Sequence, residues 1–551
     1  MLEKSHKKGQ LMVKKINLEY VFLIVVFGLL LWMGIGGIYQ GRLAHDFPHG
    51  YMAQDSFGKL GRSQTLDQTE SILYAPKHTT GGLEDVVEYY PPLSAIPVVL
   101  LHRLCGLELY DLMFFLSIFF SVVAALVTYL LVKDFNKNIA FISAGIFGFL
   151  FYKSFYIGYI WGRYPLMMGN MIFMAAFWII YRLELKKSYL FLGILLGGLF
   201  LTHTPEYMFV IVFLIIYLAI KFLFKKFQFS ELKTIIIAGI ISVIFSIHYM
   251  VLLSHSEEGA AIKLFEPLIK FYEPAPYITD FSFFLIFILI GIVLAIPLII
   301  QKKETSPVLL AGVFMLLMTY TNYISNNFRA FHSRYFWPIY LAIFFALGVY
   351  YLMKKAIKSN LKYWSIGLGL AFLIIFSLFY HEPITSPGLA NQYSWDAFTW
   401  ISKNTPEDSK IYFFYGDSYN QRTIVSSTLR DSYIVNPDDY ITALNNKTIW
   451  RDYISKRNLM SGNFLYRKGM FSYGSYAEEG IIDENARSMR RDICEFDYYV
   501  FDKITRYEEL TEYNLLIGKE LLKNDWIEEV YSNALISILK NNKPGDDCIG
   551  E

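Results

Sequence analysis

Long apolar runs separated by short basic turns fill the first two thirds of the chain, and short alternating runs fill the last third. Eleven runs approach or reach the length needed to cross a hydrocarbon core of about 30 Å. They lie at roughly 17–39, 109–132, 138–152, 164–182, 188–203, 206–224, 234–253, 281–300, 306–322, 335–353 and 363–380. The pattern predicts a multi-span α-helical membrane protein with about 11 transmembrane helices. The first run is longer than a signal peptide's apolar core and no small-residue cleavage site follows Tyr39, so it is expected to remain as an anchor. Pro92 to Leu107 is apolar but short, opens after Pro91 with a second proline and holds His102 and Arg103. It is expected to lie along the membrane surface as a juxtamembrane helix, since counting it as a span would invert every later loop. The prolines suit a helix start, where a missing N–H costs nothing.

After Tyr380 the period changes. Trp395 to Lys403 and Tyr513 to Trp526 read as helices; Lys410 to Tyr415, Thr423 to Ser427, Asp497 to Phe501 and Ala534 to Leu539 read as strands. Strands alternating with helices predict a C-terminal α/β domain over 381–551, following a membrane domain over 1–380 whose first outer loop runs from about 40 to 108. This tail is expected to be either a lid or acceptor-side domain, or a purely structural attachment.

Basic residues orient the chain. With the N-terminus cytoplasmic, the inner segments hold twenty lysines and arginines, among them Lys133, Lys137, Arg182, Lys221, Lys302 and Lys354, against eleven in the longer outer segments before Tyr380. An odd number of spans then leaves the tail extracytoplasmic, in a multi-pass cell-membrane protein.

Composition agrees with that division. Hydrophobic residues are 54% of the 551, charged residues 18%, and mean hydropathy is +0.36. This apolar share exceeds that of soluble domains, and a net charge of +2 offers nothing to nucleic acid. The bilayer is the partner that the composition requires. Cys105, Cys494 and Cys548 all fall outside in this topology, where a disulfide persists. Cys494 and Cys548 can pair within the tail, with three free thiols as the alternative, and no spacing suggests a zinc site.

Charge inside a membrane costs on the order of 2.5–3.5 kcal/mol per group on insertion scales. The chain keeps its spans nearly clean and places its unusual polar groups at their outer ends. Asp46 and His49 stand in His45-Asp46-Phe47-Pro48-His49-Gly50-Tyr51 after the first span. Phe47 precedes a proline, which favours an extended turn. Asp46 is a candidate general base or metal ligand, with an Asx-type turn residue as the bland reading, and His49 is a candidate beside it. Arg163 leads into the fourth span; His203 and Glu206 occupy the short turn Leu201 to Tyr207; Arg329 and Arg334 precede the tenth span. The arginines suit charge-assisted, bidentate gripping of a phosphate, or anchoring at the headgroup level among Tyr and Trp. His203 and Glu206 are expected to bind substrate, or to form a salt bridge to Arg163. Glu258 to Glu273 reads as an interfacial helix, and Asn446-Lys447-Thr448 fits a glycan acceptor triplet.

Taken in order, these segments resemble the GT-C superfamily of polytopic glycosyltransferases, which includes protein O-mannosyltransferases, lipid A aminoarabinose transferases and the oligosaccharyltransferase catalytic subunit. The resemblance rests on Asp46 just after the first span, Tyr90-Pro91-Pro92-Leu93 opening a surface helix, and the basic turn Lys133 to Lys137. Leu201 to Thr204, Arg334-Tyr335-Phe336-Trp337-Pro338 and the tail opening Trp400 to Asp408 complete it. It implies inverting transfer of a sugar from a polyprenyl-phosphate donor to a glycan, lipid or protein acceptor outside the cytoplasm. Asp46 would act as base, or as ligand to a divalent metal such as Mg or Mn. The chain lacks the Asp-Glu pair of the mannosyltransferases. It also lacks the Trp-Trp-Asp-Tyr-Gly motif of oligosaccharyltransferases, offering only Phe414-Tyr415-Gly416-Asp417. A lipid-linked sugar flippase or a structural subunit is the rival; a transporter calls for mid-bilayer polar groups and internal repeats, and neither is evident.

Overall fold

The computed structural model describes residues 17–84, 86–152, 158–184, 186–254, 281–319, 338–379, 383–414, 421–434, 458–461, 471–472, 489–505, 508–546 and 548. The interfacial segment 258–273, the triplet 446–448, Arg329 and Arg334 lie outside these residues.

Apolar helices form wherever the hydrophobic runs fall. They are α1 (Leu18–Leu31, continued as a π-helix to Ile38), α4 (Leu109–Phe135), α5 (Lys137–Ser143, continued as a 3-10 helix to Phe151) and α6 (Tyr164–Ile180). The series continues with α7 (Ser188–Thr202), α8 (Thr204–Leu223), α9 (Phe229–Ser254), α10 (Phe284–Ile300) and α11 (Pro307–Thr319). It ends with α12 (Pro338–Ala356) and α13 (Leu361–Phe379). Six of the described helices are long and apolar enough to cross a membrane by themselves. On α9, Ile236, Ile240, Ile244, Ile247 and Val251 stand exposed at helical spacing. An exposed apolar stripe of this kind suits contact with lipid. Glycines set the tightest crossing: a Cβ at Gly291 of α10 or Gly348 of α12 would overlap the backbone of Phe344 or Phe287.

Ion pairs tie the helix ends at the basic turns. Lys137 bonds Glu19 at 2.6 Å, with Lys133 alongside, and Arg182 grips Asp134 with two hydrogen bonds of 2.7 Å. Lys226 donates to the Lys303 carbonyl at 2.6 Å. The basic turn at 133–137 is thus joined to the start of α1 and to the turn at Arg182, and the turn at Lys226 to the one at Lys303.

Loop 1 between α1 and α4 carries α2 (Gln54–Thr69), the short strand β1 (Val87–Glu88) and α3 (Ile96–Cys105). Helix α3 falls within the predicted juxtamembrane segment; Gly106, at φ 69°, ends it in the left-handed conformation.

The C-terminal region is α/β. Its elements are α14 (Gln392–Asn404), β2 (Lys410–Phe413), α15 (Gln421–Thr428), β3 (Asp431–Ile434), β4 (Asn458–Ser461), β5 (Phe471–Ser472) and β6 (Met489–Asp492). Then come β7 (Tyr498–Asp502), α16 (Glu508–Leu521), β8 (Ile527–Ser532) and β9 (Ile536–Asn541). The main sheet has the order β3-β2-β7-β9-β8, parallel across the first three strands and antiparallel thereafter. Ala397, Phe398 and Ile401 of α14 pack into one core with Ile411, Val500 and Ile538 of the sheet. Cys494 and Cys548 form a disulfide, whereas Cys105 is free and exposed. One element differs from the sequence reading: Thr423 to Ser427 is helical, not a strand. Its β-branched run is overridden by packing on loop 1, where Ser426 Oγ donates to the Phe57 carbonyl at 2.8 Å.

Candidate active site

The turn after α1 is held from below by a buried acid. Asp111, in the first turn of α4 and 1% exposed, accepts hydrogen bonds from the Tyr39 hydroxyl, the His45 backbone N–H (2.9 Å) and His45 Nδ1 (2.8 Å). Tyr110 donates its hydroxyl to the His45 carbonyl at 2.7 Å, and Tyr51 donates to the Tyr110 carbonyl at 2.9 Å. The C-terminal region closes the far side: Gly50 N–H donates to the Pro387 carbonyl (2.9 Å) and Leu389 N–H to the Tyr51 carbonyl (2.8 Å). A carboxylate with three donors, two of them on the same residue, fixes position as well as charge.

On this frame the two sequence candidates separate. Asp46 is exposed on the turn. His49 is buried, its Nε2 lying 2.9 Å from the Gln40 amide nitrogen and 3.2 Å from the Ile384 carbonyl, and its ring stacks on His45 at 5.5 Å. Burial pushes the His49 imidazole below the usual histidine range. His49 therefore sits in the wall of the turn, while Asp46 is open to a ligand.

Arg163 caps α6, half-buried, with its guanidinium 5.8 Å from the Trp161 ring. The preceding glycine, Gly162, has φ +72° and abuts the backbone of Asp55 and Ser56 so closely that a side chain would not fit. Met52 N–H and Ser56 Oγ both donate to the Ile160 carbonyl, at 2.9 and 3.0 Å. The loop-1 turn and the Arg163 segment are thereby one assembly. His203 and Glu206 hydrogen-bond to each other at the α7–α8 junction, with Glu206 fully buried against Gly169 of α6. Leu93 N–H reaches the Leu201 carbonyl at 3.0 Å, joining the Tyr-Pro-Pro-Leu segment to that junction.

Between these pieces lies a cavity of about 700 Å³ including its open mouth, walled by α2, residues 88–98, α4 and the start of α6. Its polar part holds Lys59, Arg62, Glu88 and Tyr90; its apolar part holds Val98, Met113, Leu116, Phe120 and Met168. Lys59 Nζ and Arg62 Cζ lie 3.5 and 3.4 Å from the centre of the Tyr90 ring, and Arg62 Nε donates to Glu88. Of the residues singled out in sequence, none of Asp46, His49, Arg163, His203 or Glu206 lines this cavity, though Tyr164 and Pro165 beside Arg163 do.

Sequence reasoning missed Lys59 and Arg62. The available signal was helical spacing, since Lys59, Arg62, Ser63 and Leu66 recur on one face of α2 and all reach the cavity. Asp111 was missed because an acid at a helix start is ordinarily a partner of the helix dipole. Among the described residues no three His, Cys, Asp or Glu side chains converge as a metal site.

No protein-family model matches this sequence, and no curated protein does. Solved structures match over nearly the whole chain. ArnT from Cupriavidus metallidurans, in the apo state, superimposes with a TM-score of 0.56 at 10% identity, covering 95% of this chain and 98% of that one. The archaeal oligosaccharyltransferase AglB from Archaeoglobus fulgidus, in complex with an inhibitory peptide and a dolichol-phosphate, gives 0.54 at 13%, covering 92% and 72%. The arabinofuranosyltransferase AftD from mycobacteria gives 0.52 at 9%, covering 96% of this chain and 40% of that one. These structural neighbours agree with the GT-C resemblance read in the sequence. At these identities the likeness is one of architecture, and the architecture of this chain is the GT-C fold.

Proposed function

We propose that this protein is a membrane glycosyltransferase that takes a sugar from a polyprenyl-phosphate donor and passes it to an acceptor on the extracytoplasmic face. The cavity carries this reading. Its cations, Lys59 and Arg62, offer a phosphate charge-assisted hydrogen bonds. Its apolar wall of Val98, Leu116 and Phe120 offers a prenyl chain a surface worth about 25 cal/mol per Å² buried. A site lined both by cations and by apolar side chains matches a lipid phosphate better than a free sugar nucleotide. The fold likeness to AglB, solved with a dolichol-phosphate, supports the same ligand class.

The chemistry follows from the parts. An acceptor hydroxyl oxygen attacks the anomeric carbon as the bond from that carbon to the phosphate oxygen breaks. The hydroxyl proton passes to Asp46, and the bonding electrons leave with the lipid phosphate. One displacement inverts the anomeric centre. Asp46 is assigned the proton as an exposed carboxylate on a turn that Asp111, Tyr110 and the C-terminal region hold in place. It stands outside the cavity lining, so the sugar must extend from the cavity to this turn for the base to reach the proton it takes. Arg62 and Lys59 stabilise the charge growing on the departing phosphate. Arg163 and Arg334 are assigned to the same face, and the N-terminus to the cytoplasm.

Membranes containing the protein, supplied with radiolabelled polyprenyl-phosphate sugars, are the direct assay. Label should move to an acceptor, and Asp46→Asn should slow transfer by about 100-fold or more. Unchanged transfer by Asp46→Asn would remove that residue as base; no consumption of any lipid-phosphate sugar would remove the transferase reading.

A further inference from the structure

Arg62 already holds an anion. It donates to Glu88 inside the cavity, and the two side chains are only 21% and 14% exposed. The backbone that carries the Glu88 carboxylate is fixed. Glu88 N–H donates to the Leu73 carbonyl at 2.8 Å, and Glu88 pairs with Phe471 in the two-stranded ladder of β1 and β5. The C-terminal region therefore sets where this acid stands. Arg62 reaches the acid on a longer stem with more rotatable bonds, its guanidinium lying over the Tyr90 ring. Any phosphate that enters must take Arg62 from Glu88.

We infer that Glu88 is a specificity-determining residue, a built-in counter-anion that releases Arg62 to a phosphate monoester and withholds it from a phosphodiester. This rests on reading the cavity as a lipid-phosphate site. A carboxylate and a phosphodiester each carry one negative charge, so a diester gains little by displacing Glu88. A phosphate monoester carries about −1.5 to −2 at pH 7, and it wins the guanidinium. Bulk anionic phospholipids are diesters, and the pair denies them Arg62, which is discrimination by a repulsive element. The donor is itself a diester and becomes a monoester only as the sugar departs. Arg62 therefore transfers to the phosphate when the glycosidic bond breaks, and the interaction strengthens in the transition state over the bound donor.

The test is binding of two probes, undecaprenyl phosphate and phosphatidylglycerol, to the purified full-length protein in detergent, followed by native mass spectrometry. Wild type should prefer the monoester by about tenfold or more, and Glu88→Gln should raise affinity for the diester and reduce that preference to about threefold or less. Glu88→Asp keeps the charge but withdraws it by one methylene, and should shift the preference in the same direction. A folded Glu88→Gln or Glu88→Asp protein with an unchanged preference, or with weaker diester binding, overturns the inference. Arg62→Met separates the two levels of the argument. It should cut monoester affinity by about tenfold; if monoester binding survives intact, the lipid-phosphate reading of the cavity fails, whatever Glu88 does.

Discussion

Single side chains decide which parts of loop 1 are rigid and which are open. Asp111 gathers three donors and so carries the turn from His45 to Tyr51, leaving Asp46 exposed above it. His78 does comparable work where loop 1 meets the C-terminal region. Burial first, and the positive charge of Arg430 second, hold its imidazole down to about 4. The folded value lies below the unfolded one of about 6.5, so the unfolded chain takes up the proton first as pH falls. His78 therefore contributes its full stability above about pH 6.5 and loses it progressively towards pH 4, on the order of 3 kcal/mol in all. His49, depressed in the same direction, adds to the effect. Thermal unfolding in detergent should show the midpoint falling through this window, with a shallower fall for His78→Gln. An equally steep fall in the variant would place the acid sensitivity elsewhere.

Elements show where sequence was a good guide and where it was not. The apolar runs announced the helices because a membrane span needs only length and hydrophobicity, and both are local properties. The strand reading of Thr423 to Ser427 failed because helix α15 owes its form to a distant partner, α2, nearly four hundred residues earlier in the chain. The same separation hid the site: Lys59 and Arg62 look like solvated loop charges until α2 is seen packed between α15 and the cavity. That packing is testable. A Cβ at Gly61 would lie 2.7 Å from Ser426 Oγ, so Gly61→Val must turn that hydroxyl away from the Phe57 carbonyl and loosen α2 against α15. The expected cost is about 1–3 kcal/mol of stability, together with weaker undecaprenyl phosphate binding as Arg62 shifts. A variant that binds normally would show that α2 is positioned without help from the C-terminal region.

For the molecule as a whole, the GT-C likeness was readable from the order and sidedness of weak motifs: Asp46 after the first span, Tyr90-Pro91-Pro92-Leu93, the short turn at His203 and the tail opening at Trp400. The cavity was not, because its walls come from loop 1, α3, α4 and α6 together, and no stretch of sequence contains that convergence. Sidedness has its own readout. Cys494 and Cys548 are bonded, so Cys105 on α3 is the exposed free thiol. A membrane-impermeant maleimide should label intact cells at Cys105 and lose the signal in Cys105→Ser; labelling only after lysis would turn the bundle over. Whether the α2–α4–α6 cavity holds a lipid phosphate is decided by a structure of the protein with undecaprenyl phosphate bound. The phosphate should lie about 3 Å from Arg62 or Lys59, with the prenyl chain running past Leu116 and Phe120. A carrier lipid lodged in a different groove, with Arg62 still on Glu88, would contradict it.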